Sequence, residues 1–425
     1  MTVAELSLDA PAGGWADDAP PAASLPRLLP ARRDPSYAAH CELIGPLPPV
    51  GPGLIGEVTA SGLRGRGGAR FPTGRKMAAV ASRRGPAVLV ANGTEGEPLS
   101  HKDRALMVGN PHLVLDGVAA AAAAVGATRI ILAVEQARSD TVAALGRALA
   151  ERPDGRTVEL VLTPTRYVVG QETALVRWID SRDPRPVFGG QPYVRGVGGR
   201  PTLVDNVETL AHIGLLARFD SRWFRAVGTE DEPGSTLVTV MGGVQRPGVY
   251  EVPIGYPLGD LLQHVEAQPA QAVLVGGYYG AWVGAGQAAE ARLSSAGLAA
   301  HGASPGAGVI VAIPADACAL VEVAAVAEWY SAHSAGQCGP CLFGLADIAR
   351  AVRGLAAGDP AAESAARRWT DMVRGRGACR FPDGAATFVE SALDVLRLEI
   401  TDHLHGRCRR RHGHYLPTPT PGPTP

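Results

Sequence analysis

Aromatic residues are scarce in this chain: Phe, Trp and Tyr make up 5% of its 425 residues. An aromatic ring beside a glycine loop therefore carries more weight here than elsewhere. An excess of charge of either sign is also missing. Lys and Arg number 40 against 41 Asp and Glu, which removes any global electrostatic case for nucleic acid or an anionic membrane as partner. No apolar run reaches the roughly 18–20 uncharged residues of a spanning helix; the alanine-rich stretch at 118–125 is too short. The N-terminus, MTVAELSLDAPAGGWADDAP, has acids where a signal peptide needs positive charge and an apolar centre. A soluble, cytoplasmic protein is expected. Six cysteines in a chain this long do not make a secreted disulfide framework. Three of them, Cys338, Cys341 and Cys379, lie in the last quarter and point to metal or redox use.

Glycine and proline are plentiful, 53 and 35 residues, which implies many loops. Residues 1–33 are rich in Pro and Ala and read as a disordered arm. From 34 to 225 short apolar runs alternate with helical spacing, as in an α/β domain. Strands are expected near 88–91, 130–134 and 158–162, and helices at 112–125, 139–151 and 172–179. Residues 235–315 change to short strands between Gly/Pro turns, with one helix near 258–265. From 316 to 405 the spacing is helical, with four helices at 316–329, 342–355, 361–373 and 384–400. The tail 406–425 ends in LPTPTPGPTP, which reads as extended or disordered chain.

The densest motif is GLRGRGGARFPTGRK at 62–76, with no acid in it. Glycines at 65, 67 and 68 let the backbone turn and approach a bulky ligand. Turned N–H groups with Arg64, Arg66, Arg70, Arg75 and Lys76 would make an anion site; a solvated basic loop is the alternative. The third glycine of a dinucleotide fingerprint is absent, since Arg70 stands there, and the loop precedes the first strand. ANGTEGEPLSHKDR (91–104) places Glu95 and Glu97 on one side of an extended backbone, facing a nucleotide or simply solvent. YVVGQETALVRWID (167–180) puts Glu172 in a helical first turn, where it suits the dipole. GRPTLVDNVET (199–209) offers Asn206 as ligand contact or helix cap. Cys338-Gly-Pro-Cys341, with Cys379 38 residues on, suits an iron–sulfur cluster or zinc, though both centres normally want four ligands. Cys318 and Cys408 read as incidental thiols.

These motifs, in this order, resemble the flavin-bearing, NADH-oxidising subunit of respiratory complex I (the NuoF or 51 kDa type) and its relatives in NAD-reducing hydrogenases and formate dehydrogenases. The resemblance covers about residues 45–400 and rests on SGLRGRGGARFPTGRK, ANGTEGEPLSHKDR, GQETAL, GRPTLVDNVETLAHI and SAGQCGPC. It implies a Rossmann-like FMN domain, a β-grasp domain of the soluble-ligand-binding type and a C-terminal four-helix iron–sulfur domain. It also implies that Gly65, Arg66, Gly67, Gly68 and Lys76 hold the FMN phosphate and ring edge. Asn92, Glu95, Gly170, Glu172, Asp205 and Asn206 would line the flavin. Glu97, Phe71 and Tyr167 would meet the nicotinamide nucleotide, Glu97 as the catalytic residue. Electrons from NADH or NADPH would pass through a [4Fe–4S] cluster on Cys338, Cys341 and Cys379 to a redox partner, ferredoxin-like or a membrane reductase.

The chain also departs from the family pattern. Ala335 replaces the first cluster cysteine, leaving the fourth ligand unassigned; His333 lies two residues away. Arg70, Thr94, Gln171 and Asp205 stand where the family has Gly, Asp, Glu and Asn, and aromatic residues expected near Ala79 and at Gly198 are missing. A degenerate member serving as a non-enzymatic scaffold is the alternative function on these grounds.

Overall fold

The computed structural model describes residues 27–29 and 34–419. The rest of the expected N-terminal arm and residues 420–425 lie outside these. Four parallel strands form the first sheet: β1 (Ala87–Gly93), β2 (Ala127–Glu135), β3 (Val158–Thr163) and β4 (Thr202–Asn206), in the order β3-β2-β1-β4. Strands buried on both faces read as continuous apolar runs, and Val88–Ala91 is fully buried. The order reverses between β1 and β4, whose carboxyl ends lie side by side, Ala91 opposite Asp205 and Asn92 opposite Asn206. In open α/β sheets the crevice at such a reversal is where ligands bind. Helices Pro111–Val125 and Val207–Phe224 pack closely beneath it. A Cβ on Gly117 would lie 1.7 Å from the Leu210 carbonyl oxygen.

The expected strands and helices of this region are present with slightly wider bounds. β4 and the helices Leu54–Ser61, Thr73–Ala81, Lys102–Gly109 and Val207–Phe224 come in addition. Asn206 caps the last of these, its side chain accepting from the Glu208 amide.

The second sheet is mixed: β5 (Ser235–Gly242), β6 (Gly248–Pro253), β7 (Ala270–Val275), β8 (Ala281–Gly284) and β9 (Val309–Pro314), in the order β6-β5-β9-β7-β8. β5 and β9 are parallel and the other pairs antiparallel. Besides the expected helix, Leu258–His264, two short ones occur at Ala285–Glu290 and Ser295–Ala299, so the single-helix expectation is corrected. They are six and five residues long, too short to leave a periodic signal.

The C-terminal region has helices Ala319–His333, Leu345–Ala356, Ala362–Val373 and Phe381–Val395, then a fifth, Arg397–Leu404. Their core of Val323, Val326, Trp329, Tyr330, Phe381 and Phe388 continues into Tyr278 and Trp282 of the mixed sheet. Two segments expected to be disordered are partly packed. Arg27, Leu28 and Leu29 give their amides to Glu251, and Leu28 is fully buried. In the tail, Leu416 is 3% exposed and its amide donates to Glu322.

Candidate functional site

A cavity of about 880 Å³ opens at the carboxyl ends of β1 and β4. Its size is within the range of small-molecule and cofactor sites. The glycine loop forms one wall. The Gly65 amide donates to the Phe71 carbonyl, closing the loop on itself, and Gly68 has φ +100°, a conformation natural only to glycine. Gly65, Arg66, Gly67, Gly68, Phe71 and Lys76 all line the cavity. So do Asn92, Glu95, Glu97, Tyr167, Gly170, Glu172, Asp205 and Asn206. Of the three cysteines expected to hold the cluster, Cys379 lines it; Cys338 and Cys341 do not, and their sulfurs lie 3.5 Å apart.

Lys76, on the Thr73–Ala81 helix, reaches the end of β4. Its ammonium donates to the Val204 carbonyl and lies 3.2 Å from Glu172 and 3.6 Å from Asp205. Burial opposes its charge, but Asp205 and Glu172 outweigh burial and hold its pKa above the ordinary value. Burial pushes Asp205 up to about 6, with Lys76 pulling the other way. Asp205 Oδ2 is buried without a hydrogen-bond partner, a polar atom available to a ligand.

Some side chains do not face the ligand as expected. Arg66 is 3% exposed and braces the domains instead, donating to the carbonyls of Arg64 and Ser235 and lying 3.6 Å from Glu208. Its backbone amide is also committed, donating to the Thr209 hydroxyl. Arg70, at φ +49°, pairs through Nε with Glu232 at 3.3 Å, and its Nη2 is buried on the cavity lining without a hydrogen-bond partner. Glu95 and Glu97 both line the cavity but have different partners. Glu95 accepts from Ser100 and from the amides of Asp103 and Arg104, fixing the start of the Lys102–Gly109 helix.

Glu97 points into the junction of all three regions. It is 7% exposed and accepts from the Tyr278 amide (3.0 Å) and the Tyr167 hydroxyl (3.3 Å). Burial pushes its carboxyl up to about 7, against the pull of those hydrogen bonds. Gly277, at φ +80°, lets the β7–β8 turn close on it: a Cβ there would lie 2.7 Å from Glu97 Cδ. Tyr167 packs against Tyr279, Trp329 and Phe381 at 4.8, 5.4 and 5.5 Å between ring centroids. An aromatic wall thus runs from Glu97 towards Cys379.

Residues that the sequence did not single out complete the cavity. Lys102 is buried beneath the floor, 2.6 Å from Asp103 and 2.8 Å from Glu208, while Asp103 accepts from Asn206. Phe188, 81% exposed, lines the mouth. Only the adjacency of Lys102 and Asp103 within a quoted motif was a signal; Phe188 lay in a stretch with none.

The Cys338 and Cys341 thiols lie together, and Cys379, on the cavity lining, is near enough to act on both electrostatically. Burial pushes Cys341 up to about 11, with Cys338 adding to the shift, and raises Cys379 as well. Such thiols become thiolates only when a cation or cluster takes their charge. His333 stacks on Trp329 at 4.5 Å and donates from Nδ1 to its carbonyl, which leaves Nε2 as an acceptor. The donor set fits an iron–sulfur centre with three cysteine ligands, as the cavity and its unpaired Asp205 oxygen fit a flavin.

A flavin cavity at a parallel-sheet switch point, backed by a thiol-bearing helical domain, defines an electron-transfer flavoprotein. Family comparison agrees in all three regions. Residues 58–215 match the Nuo51 FMN-binding domain, 237–265 the SLBB domain, and 322–403 the iron–sulfur binding region of NADH-ubiquinone oxidoreductase F. The second F subunit of NADH-quinone oxidoreductase in Rhizobium meliloti is 30% identical over 378 residues, 83% of this chain and 89% of that protein. The α subunit of the NAD-reducing hydrogenase HoxS of Cupriavidus necator is 31% identical over 72% of this chain and 52% of its own. An NAD⁺-reducing [NiFe]-hydrogenase in its H₂-reduced state superposes with a TM-score of 0.76 at 30% identity, over 86% of this chain; the chain spans 64% of the length of that one. The chain belongs to the family of NADH-quinone oxidoreductase F subunits, with their FMN-binding domain and iron–sulfur region. No single helix among the described residues is long and apolar enough to cross a membrane.

Proposed function

We propose that the chain oxidises NADH or NADPH at an FMN held in this cavity and delivers the electrons through an iron–sulfur cluster to a redox partner protein. One observation carries the reading: the glycine loop, Glu97 and Cys379 line one cavity. FMN supplies acceptance of two electrons at once and their release singly. The glycine loop is assigned to its phosphate through the amides of Gly67 and Gly68, while Gly65 and Arg66 shape the loop, their own amides being given to Phe71 and Thr209. Lys76, Asn92, Glu95, Gly170, Glu172, Asp205 and Asn206 are assigned to the flavin side. Phe71, Tyr167 and Glu97 are assigned to the nicotinamide side. Cys338, Cys341 and Cys379 hold the cluster, with a non-cysteine group at the fourth iron. Domains are assigned to 34–225, 235–315 and 316–405, and a ferredoxin-like protein or a membrane reductase is assigned as the acceptor.

Mixing the purified protein with NADH and ferricyanide tests this. Dye reduction that is lost in Glu97→Ala and Lys76→Ala supports it. Bound FMN with no dye reduction would instead support the scaffold reading.

A further inference from the structure

A second group of metal-ligating side chains lies outside the flavin cavity and the cluster loops. Cys318 Sγ, His403 Nε2 and Cys408 Sγ all lie within 4.8 Å of one another. They come from three separate segments: the residue preceding the Ala319–His333 helix, the end of the Arg397–Leu404 helix, and the tail. Cys318 Sγ is 3.3 Å from His403 Nε2 and 3.2 Å from Glu399 Oε1. Tetrahedral zinc, with bonds of about 2.0–2.3 Å, sets its ligand atoms roughly 3.3–3.8 Å apart. Glu399 and His403 stand four apart on one helix and so share a face.

The surroundings are those of a ligand set. His403 Nδ1 donates to the Ala356 carbonyl at 2.7 Å, which fixes the tautomer and leaves Nε2 a lone pair directed at Cys318. Metal-bound histidines are oriented this way. Glu399 is 2% exposed, and its Oε2 has no hydrogen-bond partner, the nearest cation being Arg410 at 3.8 Å. The tail is held in register: the Cys318 amide donates to Arg411 and the Arg411 amide to Asp316. Two sulfurs and an imidazole are soft and borderline donors, the preference of zinc over calcium or magnesium. The compact spacing suits one ion.

We propose that Cys318, His403 and Cys408 bind a structural zinc ion that fastens the C-terminal tail to the helical domain, with Glu399, which lies outside the 4.8 Å group, moving in as fourth ligand. Zn²⁺ enters as the cation and two thiol protons leave, with no change of oxidation state. Beyond the site, the Tyr415 and Leu416 amides donate to Glu322, and Pro417 accepts from the Tyr278 hydroxyl. Tyr278 in turn gives its amide to Glu97. The zinc therefore anchors a segment that buttresses the turn beside the flavin cavity.

Elemental analysis of the full-length protein from zinc-replete cells tests this. It should contain about one zinc per chain, beside its iron. Cys318→Ser with Cys408→Ser should lose the zinc and keep flavin and iron, whereas Cys338→Ser with Cys341→Ser should lose iron and keep zinc. Arg407, Arg409 and Arg411 are already exposed, and removing zinc should loosen the segment so that trypsin cleaves there faster. Should the variants misfold, X-ray absorption at the zinc edge of the wild-type protein decides, with two sulfurs expected. The proposal is overturned by protein that holds no zinc and takes none up when titrated with Zn²⁺, by zinc with no sulfur neighbour, or by an intact mass showing a Cys318–Cys408 disulfide.

Discussion

Glu97 is a buried carboxyl whose pKa burial has pushed from about 4.5 to about 7. Because the fold favours the protonated form, its contribution to stability is fully present below about pH 4.5 and lost as pH rises through about 7. Activity that depends on the Glu97 charge should show an inflection near pH 7. Glu97→Gln should abolish that inflection in NADH–ferricyanide assays run from pH 5.5 to 8.5, while the Tyr278 amide still finds an acceptor. Phe188, exposed at the mouth, offers a stacking face worth about 0.5–1.5 kcal/mol. Phe188→Ala should raise KM for NADH roughly 2–12-fold with little change in kcat. Arg70 Nε is held by Glu232 at 3.3 Å, while its Nη2 is buried without a partner on the cavity lining; if the ion pair with Glu232 persists when nucleotide binds, the guanidinium does not serve a 2′-phosphate. Arg70→Gly should leave the NADPH-to-NADH ratio of kcat/KM unchanged, and a selective fall for NADPH would show that the guanidinium leaves Glu232 for the ligand.

At the scale of elements, the helix pair Pro111–Val125 and Val207–Phe224 supports the ends of β1 and β4. Gly117→Ala would drive a methyl into the Leu210 carbonyl. The variant should be destabilised by about 1–3 kcal/mol, read as a lower thermal midpoint. Legibility in the sequence follows element length and locality. β1, β2, β3 and the helix Ser139–Glu151 carry long apolar periodicity and could be read directly. β4 could not, since only Leu203 and Val204 of its five residues are apolar. The glycine loop was legible because its chemistry is contiguous. Both Glu95 and Glu97 line the cavity, as the motif suggests, but the hydrogen bonds that commit Glu95 to the next helix come from Ser100, Asp103 and Arg104 and are set by the turn between them. Tyr279 and Phe188 reach the cavity only through long-range folding, and no local pattern marks them; Thr209 ends the quoted GRPTLVDNVET motif but carried no assigned role. Cys318 and Cys408, 90 residues apart in sequence, likewise looked unrelated until the tail was seen to return.

For the whole molecule, the three regions converge on Glu97: the parallel sheet supplies its loop, the mixed sheet the Tyr278 amide, and the helical bundle the aromatic wall beyond Tyr167. Electron flow from cavity to cluster is the central claim, and the approach of Cys379 to the cavity is its structural basis. Cys379→Ser should leave the flavin reducible while removing the paramagnetic signal of a reduced cluster. The most direct test is absorbance and low-temperature electron paramagnetic resonance on anaerobically purified protein before and after NADH. Bleaching of the flavin absorbance together with a reduced iron–sulfur signal is predicted. Protein that lacks flavin when riboflavin is ample, or whose bound flavin NADH does not bleach, would contradict the account.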